Sequence, residues 1–304
     1  LAIALLLATS LAGSAWAQAV VTPRGSAFGL APPPGFATST GFSGFADPAR
    51  PGASIAFSEM PPVAYAEMVT GMDAAALGAR GIDVTRREDF ATKAGTGVLI
   101  TGSQRAGEQS FAKWMLLVPP QGDKGATGLI VVTLPGEPDA ATTEAVRASL
   151  ASLTFAPVTL ADKVAALPFG FSEGAKLKVA TTLGGNSVIL TPGGQPATQG
   201  GPMLVIGFAP SGAVDPANRV AAAMTLARQL GGRASVQLEE PATGGDTVRL
   251  MGDSTEADGT MMRFVQWVTF LPQGYLRIVG MALEATYAQL APEFGTIAQS
   301  VTMK

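Results

Sequence analysis

The sequence predicts an α+β protein of two tandem domains, each an antiparallel sheet with helices packed on one face. A length of 304 residues is enough for two domains of ordinary size that each bury a core. Similar phrases recur at a period of about 150 residues. In each repeat, strand-like segments follow one another between two helical segments, an order that favours an antiparallel sheet over parallel βαβ winding.

The clearest recurrence contains a tryptophan. Residues 111–114 read FAKW and residues 264–267 read FVQW, and each lies in a long apolar run bounded by proline. Successive side chains of a strand point to opposite faces. We therefore expect Trp114 and Trp267 to pack against helices, while Lys113 and Gln266 lie on the other face and meet solvent. The alternative is that the tryptophans lie on the open face as stacking platforms for a ligand.

Helices are predicted on both sides of these strands. Asp215 followed by Pro216 is typical of a helix start, and Gly231 is typical of a helix end. The first repeat has its counterpart between Pro61 and Arg80, where internal glycines favour two short helices. Each repeat closes on an apolar helical pattern, formed by Val146, Leu150 and Leu153 in the first and by Phe294, Ile297 and Val301 in the second.

The start of the chain predicts export. Residues 1–11 are apolar and uncharged, and Ala15-Trp16-Ala17 fits a cleavage site, so residues 1–17 are expected to be a signal peptide cut after Ala17. A membrane anchor is the alternative, but a spanning helix needs about 20 apolar residues. The predicted domains are then residues 18–157 and 158–304, and the mature protein is expected to be soluble in the periplasm or secreted.

Composition excludes several kinds of chemistry. The formal net charge is −3 with basic residues scattered along the chain, which argues against nucleic acid as a partner. The chain contains neither cysteine nor histidine. Disulfides, thiolate or imidazole metal sites and Ser-His-Asp catalysis are therefore excluded. The sequence predicts no catalytic residue, no metal site and no cofactor.

Four polar motifs are interpreted structurally. Ser110 and Lys113 match S-x-x-K, but in a strand positions three apart face opposite ways. Asp253, Glu256 and Asp258 before Gly259 lack the spacing of a calcium loop and favour a hairpin turn. The mixed charges of residues 86–89 are typical of a solvated surface, although they could dock a charged partner. The glycine-rich residues 184–201 lack a phosphate-loop ending and are expected to form a hairpin or loop, with a binding edge as the alternative.

The stretch from Pro32, PPPGFATSTGFSGFADPARPGASIAFSEMPPVAYAEM, with the later FAKW strand and the helix ending in SLTF, resembles the PsbP-like fold. That fold is shared by subunit P of the oxygen-evolving complex, a Ran-binding nuclear import factor and many exported bacterial proteins. The resemblance covers residues 32–155 and, through the repeat, residues 167–303. It implies non-enzymatic binding or stabilisation of other proteins. The metal-binding histidines of some members have no equivalent here.

Three classes of function follow. The leading hypothesis is an exported non-catalytic protein that binds or stabilises an envelope protein or a small ligand through its paired domains. A periplasmic carrier of an apolar ligand is the second, because 47% of the residues are hydrophobic and a curved sheet under helices can enclose a pocket. A carboxylate-based hydrolase is the third, since paired carboxylates can act without histidine.

Overall fold

The computed structural model describes residues 19–122, 125–198, 200–231, 236–239, 241–255 and 259–304. The predicted leader, residues 1–17, lies outside the described residues, as do Glu256 and Asp258 of the acidic turn. Within the described part of the chain, no helix is both long enough and apolar enough to cross a membrane.

The first half of the chain alternates strands with short helices. Its elements are β1 (Phe28–Gly29), β2 (Ala37–Thr38), β3 (Gly44–Ala46), β4 (Ser54–Met60), α1 (Ala64–Gly71), α2 (Ala74–Gly78), β5 (Ile82–Thr92), β6 (Gly95–Ala106), β7 (Gln109–Val118), β8 (Thr127–Pro135), α3 (Ala140–Ala151) and β9 (Thr154–Phe155).

The second half follows the same plan after a linking helix. Its elements are α4 (Leu160–Ala165), β10 (Phe169–Gly170), β11 (Leu177–Leu183), β12 (Ser187–Pro192), β13 (Met203–Pro210), α5 (Arg219–Arg228), β14 (Val236–Leu238), β15 (Ala242–Gly244), β16 (Thr247–Thr255), β17 (Met261–Leu271), β18 (Gly274–Leu283), α6 (Glu284–Gln299) and β19 (Thr302–Met303). Short 3₁₀ turns, Pro216–Asn218 and Gln229–Gly231, flank α5.

Each half is built on one antiparallel sheet. The first has the strand order β2-β3-β4-β8-β7-β6-β5, and the second has the order β11-β12-β13-β18-β17-β16-β14 with β15 also paired to β16. In both, the tryptophan strand lies between its two hairpin partners, β6 and β8 or β16 and β18. The predicted α+β class with two antiparallel sheets is confirmed.

The helices cover both faces of the first sheet, whereas we predicted them on one face. Val146 and Leu150 of α3 pack with Trp114 on one side, and Leu77 of α2 packs with Met115 on the other. The physical reason is visible in β7, whose residues from 114 to 118 are all buried. A continuous apolar run is typical of a strand covered on both faces.

The second sheet is covered on both faces in the same way. Phe294 and Ile297 of α6 pack with Val265 on one side, and Ala223 and Ala227 of α5 pack against Val248, Phe264 and Val268 on the other. The helical segment starts at Asp215 and Pro216 as predicted, and the Asp215 carboxylate accepts from the amide of Ala217 at 2.8 Å. Its first turn is the 3₁₀ turn Pro216–Asn218, however, and α5 itself begins at Arg219. It covers β16 and β17 and leaves part of β13 and β18 uncovered.

The tryptophans face the last helix of each half, as expected, but their burial differs. Trp114 is 2% exposed, whereas Trp267 is half-buried beside α6. Gln266 does not meet solvent: it is fully buried under α5 and donates to the carbonyl oxygen of Ala223 at 2.9 Å. Lys113 is half-buried and donates to Thr133 Oγ1 at 2.9 Å.

The two halves close their ends with matching contacts. Strand β1 pairs with β9, and β10 pairs with β19. In the first half the amide of Ala31 donates to Ser152 Oγ at 2.8 Å, and in the second the amide of Ser172 donates to Ser300 Oγ at 2.9 Å. Each half therefore returns its chain to the place where it began. That the boundary falls at residue 157 stays a prediction.

Candidate ligand cleft between the two halves

An open cleft of about 670 Å³ lies between the two halves. The first half contributes loop residues before β1 and the turn between β2 and β3. The second half contributes the chain after α4, the β11–β12 turn and the last residues of the chain. The lining residues are Thr22, Pro23, Arg24, Thr38, Ser39, Thr40, Phe42, Ser43, Ala166, Leu167, Pro168, Gly185, Phe208, Gln273, Met303 and Lys304.

Hydrogen bonds between the halves fix the back of this cleft. The amide of Ser43 donates to the carbonyl oxygen of Gly184 at 2.6 Å. Asn186 Nδ2 donates both to the carbonyl oxygen of Gly41 at 2.8 Å and to that of Phe208 at 3.0 Å. One side chain thus joins the β2–β3 turn of the first sheet to β13 of the second.

Gly41 lets the two halves approach closely. A Cβ atom at this position would lie 2.3 Å from Cγ of Pro210, at the end of β13. A separation so short is impossible for carbon atoms in contact. A residue other than glycine therefore requires the β2–β3 turn or Pro210 to move.

The linking helix is fastened to the first sheet. Lys163 of α4 donates to Oε2 of Glu59 at 2.5 Å. Oε1 of the same carboxylate accepts from the amide of Ala27 at 2.7 Å and from Ser26 Oγ at 3.2 Å. Both charged side chains are mostly buried, at 22% exposed for Lys163 and 15% for Glu59. Charge-assisted hydrogen bonds of this kind are the stronger ones in proteins.

The charged side chains that line the cleft are cationic. Among the lining residues that the structure describes, Arg24 and Lys304 carry the side-chain charges, and neither is in an ion pair with a described residue. Lys304 Nζ donates to the carbonyl oxygen of Ala165 at 2.8 Å, which holds it near α4. Hydroxyl groups of Thr22, Ser39 and Ser43 are also on the walls. The surface can therefore donate several hydrogen bonds to an anionic group.

The structure does not bring the sequence motifs together at this cleft. Ser110 and Lys113 both lie in β7, three positions apart and on opposite faces, so the lysine cannot take the proton of that serine. Burial lowers the pKa of Lys113. Asp253 lies in β16 and contacts Arg263 at 3.4 Å.

Three charged side chains of β5, those of Arg86, Arg87 and Glu88, form ion pairs or hydrogen bonds within the first half. Glu88 pairs with Arg147 of α3 at 2.7 Å and with Arg86 at 2.8 Å, and the hydrogen bond from Arg147 lowers the pKa of this carboxyl group. Arg87 donates to the carbonyl oxygens of Val69 and Met72 at the end of α1. These contacts hold helices on both faces of the sheet to its edge strand.

The glycine-rich stretch does reach the cleft. Gly184 and Gly185 form the β11–β12 turn that contacts Ser43. The remaining cleft residues were not singled out from the sequence, because they lie in loops far apart along the chain. The run of serine, threonine and glycine at positions 38–44 is the signal that could have indicated them.

Together, these features define a class: an α+β protein of two antiparallel sheets with a cationic, hydroxyl-lined cleft between them. No protein-family model matches the chain, and no curated protein matches it either. Among solved structures, it is similar to LpqN, involved in cell envelope biogenesis of Mycobacterium tuberculosis, with 18% identity, coverage of 45% of this chain and 83% of that one, and a TM-score of 0.35.

Two further structures are similar over different lengths. Cyanobacterial PsbP from Synechocystis sp. PCC 6803 matches with 8% identity, 45% of this chain, 82% of that one and a TM-score of 0.29. The immunity protein TplEi of T6SS from Pseudomonas aeruginosa matches with 12% identity, 93% of this chain, 97% of that one and a TM-score of 0.32. At these identities and TM-scores the likenesses carry no argument about function, and the tandem PsbP-like resemblance stays a prediction.

Proposed function

We propose that this chain is an exported, non-catalytic binding protein whose cleft between the halves receives an anionic group of its ligand. The observation that carries the proposal is the lining of the cleft, where Arg24, Lys304 and several hydroxyl groups converge from both halves. Its volume of about 670 Å³ is typical of a small-molecule site. A protruding segment of an envelope protein is the second kind of ligand that such an open cleft can admit.

The hydrogen bonds and the ion pair between the halves support binding in a preformed cleft rather than closure around a substrate. The Ser43–Gly184 and Asn186–Gly41 hydrogen bonds and the Glu59–Lys163 ion pair all cross between the first half and the rest of the chain. The walls are therefore already in place before a ligand arrives. A preformed site binds without the cost of ordering its own walls.

Native mass spectrometry of the full chain, purified from the envelope fraction of its own cells, tests the binding role. We expect a bound species on the wild type and none on an Arg24→Gln/Lys304→Gln variant. The matched control is Lys93→Gln/Arg105→Gln, which removes the same charge from exposed positions of the first half outside the cleft. The mass of the bound species distinguishes a small molecule from a protein. A species that stays on the cleft variant would contradict the proposal.

Export is tested by the intact mass of the protein released by osmotic shock. The expected chain begins at Gln18, because the Ala15-Trp16-Ala17 pattern places cleavage after Ala17. Recovery of the uncut chain in the membrane fraction would assign the first residues to an anchor instead.

A further inference from the structure

Another cavity lies on the second sheet, beside the cleft, with which it shares Phe208. It is a groove of about 310 Å³ on the face that carries α5, over the part of β13 and β18 that this helix leaves uncovered. Leu230, just beyond the end of α5, forms one wall. The floor is aliphatic and is formed by Met203, Val205, Val279 and Met281.

The same face of the first sheet is more polar. There, Lys113 of β7 and Thr133 of β8 hydrogen-bond each other across the strands at 2.9 Å. The fold therefore does not require an aliphatic floor at this place. At this place the aliphatic floor distinguishes the second sheet from the first.

A guanidinium group stands at one end of the groove. Arg277 lies opposite Gly207 of β13, and at the other end Met281 lies opposite Met203. Arg277 Nε donates to Gln266 Oε1 at 2.8 Å, and Nη2 donates to the carbonyl oxygen of Leu226 at 2.7 Å. Nη1 has no partner among the residues that the structure describes. Burial lowers the pKa of this arginine.

Arg277 also has no carboxylate partner within the described ranges of the chain. Its contacts are neutral oxygens, which satisfy two donors but do not neutralise the charge. A partly buried cation without a counter-charge is costly. An anion in the groove would offset that cost and could bond to the donors that remain.

We propose that this groove binds a single-chain carboxylate amphiphile, with its carboxylate at Arg277 and its alkyl chain along the aliphatic floor toward Met281. We choose a monoanion because the groove has one cationic side chain, Arg277, which a single negative charge neutralises. A phosphate monoester carries about two negative charges near neutral pH. From Arg277 to Met281 the strand rises about 13 Å, which suits a medium-length alkyl chain.

Calorimetric titration of the full chain with decanoate tests the proposal, with decyltrimethylammonium, decanol and decyl phosphate as comparison ligands. We expect decanoate to bind at least about tenfold more tightly than each of the other three, since tenfold corresponds to about 1.4 kcal/mol, close to the lower end of the range for a hydrogen bond to a charged group. Equal binding of decanoate and decanol would overturn the role of Arg277. Tighter binding of decyl phosphate would overturn the choice of a monoanion.

Two variants test separately the contact of the carboxylate with Arg277 and the contact of the alkyl chain with the aliphatic floor. Arg277→Gln should remove the preference for decanoate over decanol, while Arg249→Gln, on the α6 face of the same sheet, should leave it unchanged. Because Arg277 also holds α5, Val205→Trp provides a second variant that fills the groove and leaves the contacts of Arg277 in place. It should weaken decanoate binding at least tenfold, and unchanged binding would overturn the proposal.

The same variant tests the competing occupant, a second copy of the chain. Sedimentation velocity of the wild type without ligand should show a monomer. A dimer that Val205→Trp dissociates would assign the groove to a subunit interface and would overturn the proposal. None of these outcomes depends on Arg24 or Lys304, so the groove and the cleft can fail separately.

Discussion

Lys163 Nζ lies 2.5 Å from Oε2 of Glu59, so the short helix between the two halves is tied to a strand of the first sheet. The same carboxylate also accepts from Ser26 Oγ and from the amide of Ala27. The N-terminal segment, the first sheet and the linking helix therefore meet at one mostly buried anion. Its removal should affect all three at once.

Glu59→Gln is expected to lower the free energy of unfolding by about 1–3 kcal/mol, because it replaces hydrogen bonds to a charged group by weaker ones. Urea unfolding followed by circular dichroism measures this. The control is Glu173→Gln, whose partner Lys178 is 3.4 Å away and 46% exposed, and which should cost less than about 1 kcal/mol. Equal losses in the free energy of unfolding for the two variants would show that the burial of Glu59 does not strengthen its contribution to stability.

Gly41→Val should destabilise the contact between the halves, because its Cβ would meet the ring of Pro210. Overpacking of this kind costs about 1–3 kcal/mol. The matched control is Gly71→Ala at the end of α1, where a Cβ meets nothing within 4 Å. That change should be neutral or should stabilise the helix by up to about 1 kcal/mol. Thermal unfolding compares the two, and an unchanged midpoint for Gly41→Val would mean that the halves can separate without loss.

The tryptophans should differ in what they contribute to stability. Trp114→Ala should cost about 3–5 kcal/mol, since a fully buried aromatic ring is lost. Trp267→Ala should cost less, about 1–3 kcal/mol, because this ring is half-buried beside α6. Denaturant unfolding of both variants gives the comparison. Near-wild-type midpoints for both would assign the rings to a binding surface rather than to the core.

Glu88 should make the first half sensitive to acid. Its folded-state pKa is lowered, first by the hydrogen bond from Arg147, so its contribution to stability is present above the unfolded-state value near 4.5 and is lost as pH falls through the folded-state pKa. The urea midpoint of the wild type should therefore fall below that pH more steeply than the midpoint of Glu88→Gln. The control is Glu67→Gln, which removes a carboxylate from an exposed position of α1. Parallel curves for wild type and Glu88→Gln would contradict the prediction.

Local signals predicted most of the fold. Asp215-Pro216 marked the start of the 3₁₀ turn that leads into α5, and Gly71 fell where α1 ends, because capping and glycine effects act within a few residues. The tryptophan strands were predicted because their apolar runs are long. The helices on both faces of the sheet were not predicted, although the unbroken apolar run from Trp114 to Val118 indicates a strand that is buried on both sides.

The candidate sites could not be predicted in the same way. Arg24 and Lys304 line one cleft although they stand at opposite ends of the described chain, and only the packing of the two halves brings them together. Gln266 was expected to meet solvent because it alternates with Trp267 along β17 and so lies on the opposite face of the sheet. That expectation holds only if no helix covers this face. Instead α5 covers it, and its amide bonds to Ala223 and Arg277. Contacts between distant segments decide such positions.

The pairing of β1 with β9 and of β10 with β19 has a genetic consequence. When the two ends of a folded unit lie side by side, that unit can be removed, moved or inserted into a loop of another protein without a change in its strand order. Each half has this arrangement, with Phe28 opposite Phe155 in the first and Phe169 opposite Met303 in the second. Duplication of such a unit needs only a short spacer, and the six-residue helix α4 has that length. The geometry of the ends therefore predicts that each half can be transferred as a unit.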